Sequence, residues 1–286
     1  NSGKTETISE PLYDILTRRA LSESEWIKLK SYCDEIGIMF FATVSDDSYF
    51  SMIERMALPS LKVASADVDH TPFLKNLAKL DTCIQLDTGN ATLGEVETAV
   101  DIFRKGGCEN YIIHNCPSGY PARLDSINLK LLKTIKQVFN CPAAFSDHTP
   151  GWEMDVAALA MGANLLEKTI SLDRLTPSVE HIMSLEPEDV DVFIKVIRDV
   201  ETAMGQSRRI LDDVELSKRK MIRRSVYLSQ NVMAGQSLSD AKVEFRRPGI
   251  GLTPEQYELY QSATFNRNIE ASELVDLSDL NISKAS

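Results

Sequence analysis

Side chains with acid, base and ion-binding chemistry recur along this 286-residue chain, each within, at the end of or shortly after a short apolar run. Carboxylates and imidazoles exchange protons or hold cations, whereas lysine and hydroxyl groups donate hydrogen bonds to anions. In chain order these residues are Thr43, Lys62, Ser65, Asp67, Asp87, Ser118, Tyr120, Ser146, His148 and Glu167. If the runs are parallel strands, their ends converge and these side chains form one active site.

Six apolar runs contain or precede these side chains, and each is followed by an amphipathic helical pattern. The runs cover residues 39–43, 61–63, 82–86, 111–114, 143–145 and 165–167. Alternating strands and helices predict a parallel sheet, and this rhythm is typical of a TIM (β/α)8 barrel. In such a barrel the active site lies at the carboxyl ends of the strands.

The helices between the runs carry clear start and stop signals. Ser22 with Glu25, and Thr92 with Glu95, are capping boxes, and Gly37 is expected to end the first of these helices. Three later patterns predict helices over residues 127–139, 152–161 and 187–204.

A closed barrel of this type needs eight strands, and the chain offers six apolar runs. Residues 1–20 are polar and irregular, with helical character around residues 13–18 at most. We therefore expect residues 1–205 to form a barrel that lacks its first two βα units. The alternative is an open six-stranded parallel sheet, which would leave two unpaired edges.

The barrel rhythm stops at Gly205, and residues 206–222 are predicted to be a charged linker. Residues 223–286 form a predicted second domain with an internal repeat, in which residues 230–243 resemble residues 267–280. A basic loop at residues 245–251, whose proline and glycines restrict its path, separates the two copies.

Composition excludes several classes of protein. The net charge of −11 and the lack of a basic stripe argue against nucleic-acid binding. No apolar run is long enough to span a membrane, and the first residues do not read as a signal peptide, so a cytoplasmic protein is expected. The five cysteines show no CxxC spacing and are expected to be reduced thiols.

The ordered motifs resemble the sialic acid synthase (NeuB) family. In chain order they are Lys-x-x-Ser-x-Asp, Thr-Gly, Tyr-Pro, Ser-Asp-His-Thr, Leu-Glu-Lys and a C-terminal Arg-Pro-Gly loop. The family includes N-acetylneuraminate, legionaminate and pseudaminate synthases and the spore coat polysaccharide biosynthesis protein E. The resemblance covers residues 21–280, and the second domain resembles the SAF, or antifreeze-like, domain of these enzymes.

The resemblance implies condensation of phosphoenolpyruvate with an N-acyl hexosamine, giving a nine-carbon 2-keto sugar acid for surface polysaccharides. It implies that Asp67, His148 and Glu167 are catalytic. It also implies that Arg247 reaches the sugar across a domain-swapped homodimer. The implied phosphoenolpyruvate-binding residues are Thr43, Lys62, Ser65, Ser146 and His148, and the sugar-side residues are Tyr120 and Glu180. Asp87, at a phosphate-contacting position of the family, and Ser118 are further candidate substrate-binding residues.

Two residues depart from the family pattern. The resemblance implies a divalent metal, Mn²⁺ or Mg²⁺, held by His148 and a second histidine, but Thr169 stands at the second position. Metal binding is therefore expected to be weak or absent unless another residue such as His181 compensates. Asp87 replaces a phosphate-facing serine, so either Asp87 pairs with a lysine or the phosphate binds elsewhere.

Two other functions remain open from the sequence. One is a different phosphoenolpyruvate-dependent aldol synthase on the same barrel, which the SAF-like domain and the Tyr-Pro motif argue against. The other is a diverged member of the family that binds a sugar, or organises an assembly, without turnover. Replacement of the metal histidine by Thr169 favours that second alternative.

Overall fold

The computed structural model describes residues 9–282. The chain divides into two compact units, one ending at Gly205 and the other beginning at Gln206. No helix in the described part is long and apolar enough to cross a membrane.

The first unit is built on a curled parallel sheet of six strands within residues 9–282, in the order of the sequence. The strands are β1 (Ala42–Thr43), β2 (Ser60–Val63), β3 (Cys83–Asp87), β4 (Tyr111–Asn115), β5 (Ala143–Asp147) and β6 (Leu165–Lys168). In the described chain β1 and β6 do not pair with each other, so the sheet forms a half-barrel with two open edges. The parallel sheet is confirmed, while strand β1 is shorter than the predicted run of residues 39–43.

The helices of the first unit alternate with these strands. They are α1 (Leu12–Arg19), α2 (Glu23–Ile36), α3 (Phe50–Met56), α4 (Thr71–Leu77), α5 (Leu93–Lys105), α6 (Leu131–Phe139), α7 (Glu153–Ala160) and α8 (Pro187–Met204). Both predicted capping boxes are present, and Gly37 ends α2 with a φ of 76°. Helix α6 begins later than predicted because Asn128 adopts a left-handed conformation with a φ of 50°.

Burial of apolar side chains explains why the sheet and helices pack together. Leu61, Ile84, Leu86, Ile113 and Phe145 of the strands are fully buried against the helices. Removing this much apolar surface from water is the main favourable contribution to folding. The strands are therefore held rigidly enough to position the side chains at their ends.

The second unit has its own core and its own strands. Strands β7 (Ser225–Leu228) and β8 (Val243–Arg246) pair antiparallel, as do β9 (Thr264–Phe265) and β10 (Leu280–Asn281). Helices α9 (Asp213–Ile222) and α10 (Pro254–Leu259) complete the unit. Helix α9 lies inside the predicted linker, where Asp212 and Glu215 form a capping box that starts it.

The internal repeat of the second unit forms reciprocal contacts. Asn231 Oδ1 accepts a hydrogen bond from the Ala271 amide at 2.8 Å, and Asn268 Oδ1 accepts one from the Ala234 amide at 2.8 Å. Between them, the backbones of Val232 and Ile269 exchange hydrogen bonds of 2.9 and 3.1 Å. The two copies therefore contact each other through equivalent residues.

We expect Asn231→Ala to lower the free energy of unfolding of the second unit by about 0.5–1.5 kcal/mol, because the Ala271 amide loses its acceptor. Asn268→Ala should have an effect of similar size. Hydrogen exchange of the full chain, read by mass spectrometry, measures this in peptides of the unit. Asn281→Ala is the control, because the Asn281 side chain makes no hydrogen bond in the described residues; an equal effect of this control would contradict the prediction.

Candidate active site at the carboxyl ends of the strands

Four of the predicted site residues meet at the carboxyl ends of β2, β3, β5 and β6. Lys62, Asp87, Ser146 and Glu167 come from these four strands in turn. The register places Ser146 opposite Glu167 on the paired strands β5 and β6. The convergence expected from the sequence is therefore present for these four residues.

Lys62 forms the centre of this group. Its Nζ lies 2.5 Å from both carboxylate oxygens of Glu167 and 2.8 Å from Asp87 Oδ2. The Lys62 side chain is 10% exposed, and that of Asp87 is 9% exposed. Burial disfavours the charged form of Lys62, but the two carboxylates outweigh burial and hold the Lys62 pKa above its usual value. Of the two possibilities left open for Asp87, pairing with a lysine is confirmed.

His114 completes the group, although it was not selected from the sequence. It lies opposite Asp87 in the register of β3 and β4 and is fully buried. Its Nδ1 is 2.9 Å from Ser146 Oγ, and its Nε2 is 3.0 Å from Gln85 Oε1. Burial lowers the His114 pKa to about 4, so this imidazole is neutral near pH 7.

Asp87, His114 and Glu167 could hold a divalent metal. One ligand atom from each residue lies within 4.8 Å of the others. His114 Nδ1 is 3.7 Å from Asp87 Oδ1 and 3.6 Å from Glu167 Oε2. Two carboxylate oxygens and one imidazole nitrogen suit a cation such as Mn²⁺, whereas soft metals prefer sulfur ligands. The donor set therefore fits the expected cation.

His148, the metal ligand predicted from the sequence, lies in a different environment. Its Nδ1 donates to the Pro117 carbonyl oxygen at 2.9 Å, which leaves Nε2 as the atom with a lone pair. The rings of His148 and Tyr120 pack with centroids 4.6 Å apart. His148 is therefore held in the tautomer that a metal ligand or a proton acceptor requires.

Thr169 and His181 are the two residues that bear on a second ligand beside His148. The Thr169 hydroxyl is buried and has no hydrogen-bond partner among the described residues. His181 Nδ1 bonds to the backbone of Ser178 in its own loop. The buried, unpartnered hydroxyl of Thr169 marks the position where the resemblance implied a histidine.

The remaining predicted residues of the first unit lie at the end of a strand or in the segment that follows one. Ser65 and Asp67 lie in the turn after β2, and a Cβ on Gly89 would come within 2.9 Å of Ser65 Oγ, so glycine allows this approach. Ser118 donates to Asn90 at 2.8 Å. Thr43 ends β1 and is exposed.

Tyr120 and Glu180 are close enough to interact. Burial raises the pKa of the Tyr120 hydroxyl, and the negative charge of Glu180 raises it further. Arg247 lies in the second unit, after β8, in a loop that begins with a cis Arg247–Pro248 bond. The sugar-side role of these three residues stays a prediction.

A second buried cluster supports the segment that carries His148. Lys168 Nζ lies 2.5 Å from Asp147 Oδ2, 2.6 Å from the Thr149 carbonyl oxygen and 3.6 Å from Asp155 Oδ2. The side chains of Lys168, Asp147 and Asp155 are 4%, 0% and 0% exposed. Burial and the neighbouring Asp147 charge raise the Asp155 pKa to about 8. This cluster was not found from the sequence, because a lysine after a strand usually faces water.

Comparison with known proteins identifies related chains. The NeuB family model matches residues 2–209. An uncharacterized protein of Methanocaldococcus jannaschii is 34% identical over 258 residues, which cover 90% of this chain and 75% of that protein. The N,N'-diacetyllegionaminic acid synthase of Legionella pneumophila is 29% identical, with 92% of this chain and 75% of that enzyme covered. The solved structure of an N-acetylneuraminic acid synthetase from Leptospira borgpetersenii superposes with a TM-score of 0.67 at 27% identity, over 72% of each chain.

Proposed function

Because this chain belongs to the NeuB family, we propose that it condenses phosphoenolpyruvate with an N-acyl hexosamine. The products are a nine-carbon 2-keto sugar acid, destined for a surface polysaccharide, and inorganic phosphate. The observation that carries the proposal is the buried Lys62 at the strand ends, with Ser146 and Glu167 beside it. Lysine and serine donate to an anion, and a carboxylate is available for proton transfer.

The reaction divides into two bond changes. C3 of phosphoenolpyruvate attacks the aldehyde carbon of the open-chain sugar, and water adds to C2 as phosphate leaves. Lys62, Ser146, Thr43 and Ser65 bind the phosphate and carboxylate groups in this proposal. Electrostatic stabilisation of such charges in a dry pocket is usually the largest contribution to catalysis.

Proton transfer and sugar binding fall to the residues around this anion site. Asp67 or Glu167 takes a proton from the attacking water. His148, which directly follows strand β5, is the third catalytic residue of the proposal. Tyr120 and Glu180 bind the sugar hydroxyls, and Ser118 and Asp87 are further substrate-binding residues of the proposal. A divalent cation held by Asp87, His114 and Glu167, or by His148, would polarise the sugar aldehyde when bound.

The second unit has a part in the same proposal. We assign residues 223–286 to a SAF domain and give Arg247 the role of binding the sugar in the active site of a second copy. The chain would then act as a domain-swapped homodimer. The unit's separate core and its repeat are compatible with an independently folded module.

Phosphate release measured over a panel of N-acyl hexosamines tests the proposed function. With phosphoenolpyruvate and Mn²⁺, we expect one sugar to give phosphate and 2-keto acid in equal amounts, and a chelator to remove both. The control is the same assay without any sugar, which detects simple hydrolysis of phosphoenolpyruvate. Absence of release with every sugar, from folded protein, would contradict an active synthase.

A second candidate function is sugar binding without turnover. The pairing of Lys62 with both Asp87 and Glu167 favours it, because a neutralised lysine attracts phosphate weakly. Calorimetric measurement of sugar binding, combined with the phosphate-release assay, separates the two candidate functions. Binding of a sugar with no phosphate release supports the non-catalytic protein, and phosphate release excludes it.

A further inference from the structure

The hydrogen-bond chain behind His114 determines which ring nitrogen carries its proton. Ser60 Oγ donates to the Cys83 carbonyl oxygen at 2.9 Å and therefore accepts from Gln85 Nε2 at 2.9 Å. Gln85 Oε1 then faces His114 Nε2 at 3.0 Å, so Nε2 must donate. His114 Nδ1 consequently points towards the carboxylates with a lone pair and no proton.

The hydrogen atoms available there are too few for the acceptors. Ser146 Oγ lies 2.9 Å from His114 Nδ1 and 3.0 Å from Asp87 Oδ1, but a hydroxyl group donates only one hydrogen. Neither His114 Nδ1 nor Asp87 Oδ1 has another hydrogen-bond donor among the described residues, since Lys62 contacts the other carboxylate oxygen of Asp87. Both residues are more than nine-tenths buried, so one buried acceptor remains without a hydrogen bond.

The charges of the group are also unbalanced. Asp87 and Glu167 carry two negative charges, His114 is neutral, and Lys62 supplies one positive charge. The group therefore keeps one net negative charge at the place where an anionic substrate is proposed to bind. A cation with two positive charges and affinity for nitrogen and oxygen would satisfy the orphaned acceptor and reverse this balance.

We propose that Asp87, His114 and Glu167 bind a divalent cation in exchange for the Lys62 ammonium group. Either the Lys62 ammonium group or the divalent cation pairs with the two carboxylates, but not both at once. When the cation binds, it displaces the Lys62 side chain outwards, beyond the carboxyl ends of the strands. Lys62 is then free to bind the phosphate or carboxylate of the substrate. The use of the freed lysine rests on the proposed function, whereas the exchange itself does not.

Mn²⁺ binding to the full chain, followed by the electron paramagnetic resonance signal of free Mn²⁺, tests the exchange without any substrate. Lys62→Met removes the competing ammonium group, and we expect it to bind Mn²⁺ at least about tenfold more tightly than the wild-type protein. Lys62→Arg keeps the charge and should stay within about threefold of wild type. Asp87→Asn should weaken binding at least about tenfold.

A second measurement uses the unaltered protein and so does not depend on the folding of a variant. Adding Mg²⁺ should increase the rate of reductive methylation of Lys62 at least about threefold, as read by peptide mass spectrometry, because the ammonium group leaves its ion pair. Lys195, which is exposed, is the internal control and should react at an unchanged rate.

The inference is overturned if Lys62→Met binds Mn²⁺ no more tightly than wild type, or if Mg²⁺ leaves the methylation of Lys62 unchanged. It is also overturned if His148→Ala abolishes Mn²⁺ binding while Asp87→Asn does not, because the cation would then lie at His148. These readouts are independent of phosphate release, so failure of the exchange is distinguishable from failure of the proposed function.

Discussion

Replacing Lys168 with methionine is expected to lower the free energy of unfolding of the first unit by about 3–5 kcal/mol. Methionine preserves most of the length of the side chain, but it leaves Asp147 and Asp155 buried without a positive charge. Both carboxyl side chains are 0% exposed, so water cannot replace the ammonium group. Urea unfolding followed by the fluorescence of Trp26 and Trp152 reports on this unit.

An exposed ion pair provides the control for Lys168. Lys195 and Asp199 pair one helical turn apart on α8, with side chains 74% and 64% exposed. Lys195→Met should change the free energy of unfolding by less than about 0.5 kcal/mol, since exposed pairs contribute little. A loss below 1 kcal/mol for Lys168→Met would show that the buried cluster adapts without the lysine.

The same cluster predicts a pH dependence of stability. Native Asp155 titrates at about pH 8, whereas its ordinary pKa is 3.8, so between these values the native state binds more protons than the unfolded state. Stability contributed by protonated Asp155 is therefore present at low pH and lost as the pH rises through that window. We expect Asp155→Asn to flatten the decline in unfolding free energy between pH 5 and pH 8.5; an unchanged decline would assign it to other groups.

The sheet order was predictable from the sequence because each strand is short, apolar and followed by a helix with its own start signal. A buried parallel strand is recognisable in the sequence as a short apolar run. When a helix connects each strand to the next, consecutive strands lie side by side, so the order in the sheet is the order along the chain. Lys62, Asp87, Ser146 and Glu167 were expected to converge for this reason. The prediction needed only the positions of strand ends.

His114 and Gln85 were missed because they lie inside apolar runs, where side chains are expected to pack in a core. Periodicity does not show which strand residues face the interior of the curled sheet. The register does show it, since it sets His114 opposite Asp87. One signal was present in the sequence: a histidine and a glutamine within buried strands need polar partners, and these partners are each other.

The buried cluster of Lys168 and the helix α9 were missed for different reasons. Asp155 looks like an ordinary acidic residue in the first turn of a helix, and only the tertiary packing of α7 against β5 and β6 buries it. In contrast, α9 has a local signal, the capping box of Asp212 and Glu215, which the high charge of residues 206–222 obscured.

Replacing Lys62 with alanine is expected to reduce kcat/KM for phosphoenolpyruvate by about 10³-fold or more, if the chain is the proposed synthase. The substitution removes the charged donor that the proposal places on the phosphate or carboxylate group of the substrate. Two opposite charges 4 Å apart attract by about 4 kcal/mol at an effective dielectric constant near 20. The loss should therefore be larger than that of a single hydrogen bond.

Steady-state phosphate release with the active sugar measures this effect, and the way it divides between kcat and KM is informative. Because Lys62 is proposed to bind the substrate before the reaction, most of the loss should appear as a higher KM for phosphoenolpyruvate. Lys62→Arg retains the positive charge, so kcat/KM should fall by no more than about tenfold. The remaining loss arises because the planar guanidinium group cannot reproduce the contacts of the ammonium group. If Lys62→Ala kept more than a third of the wild-type activity while remaining folded, the phosphate would have to bind elsewhere along the strand ends. The ion pair with Asp87 and Glu167 would then have a structural role only.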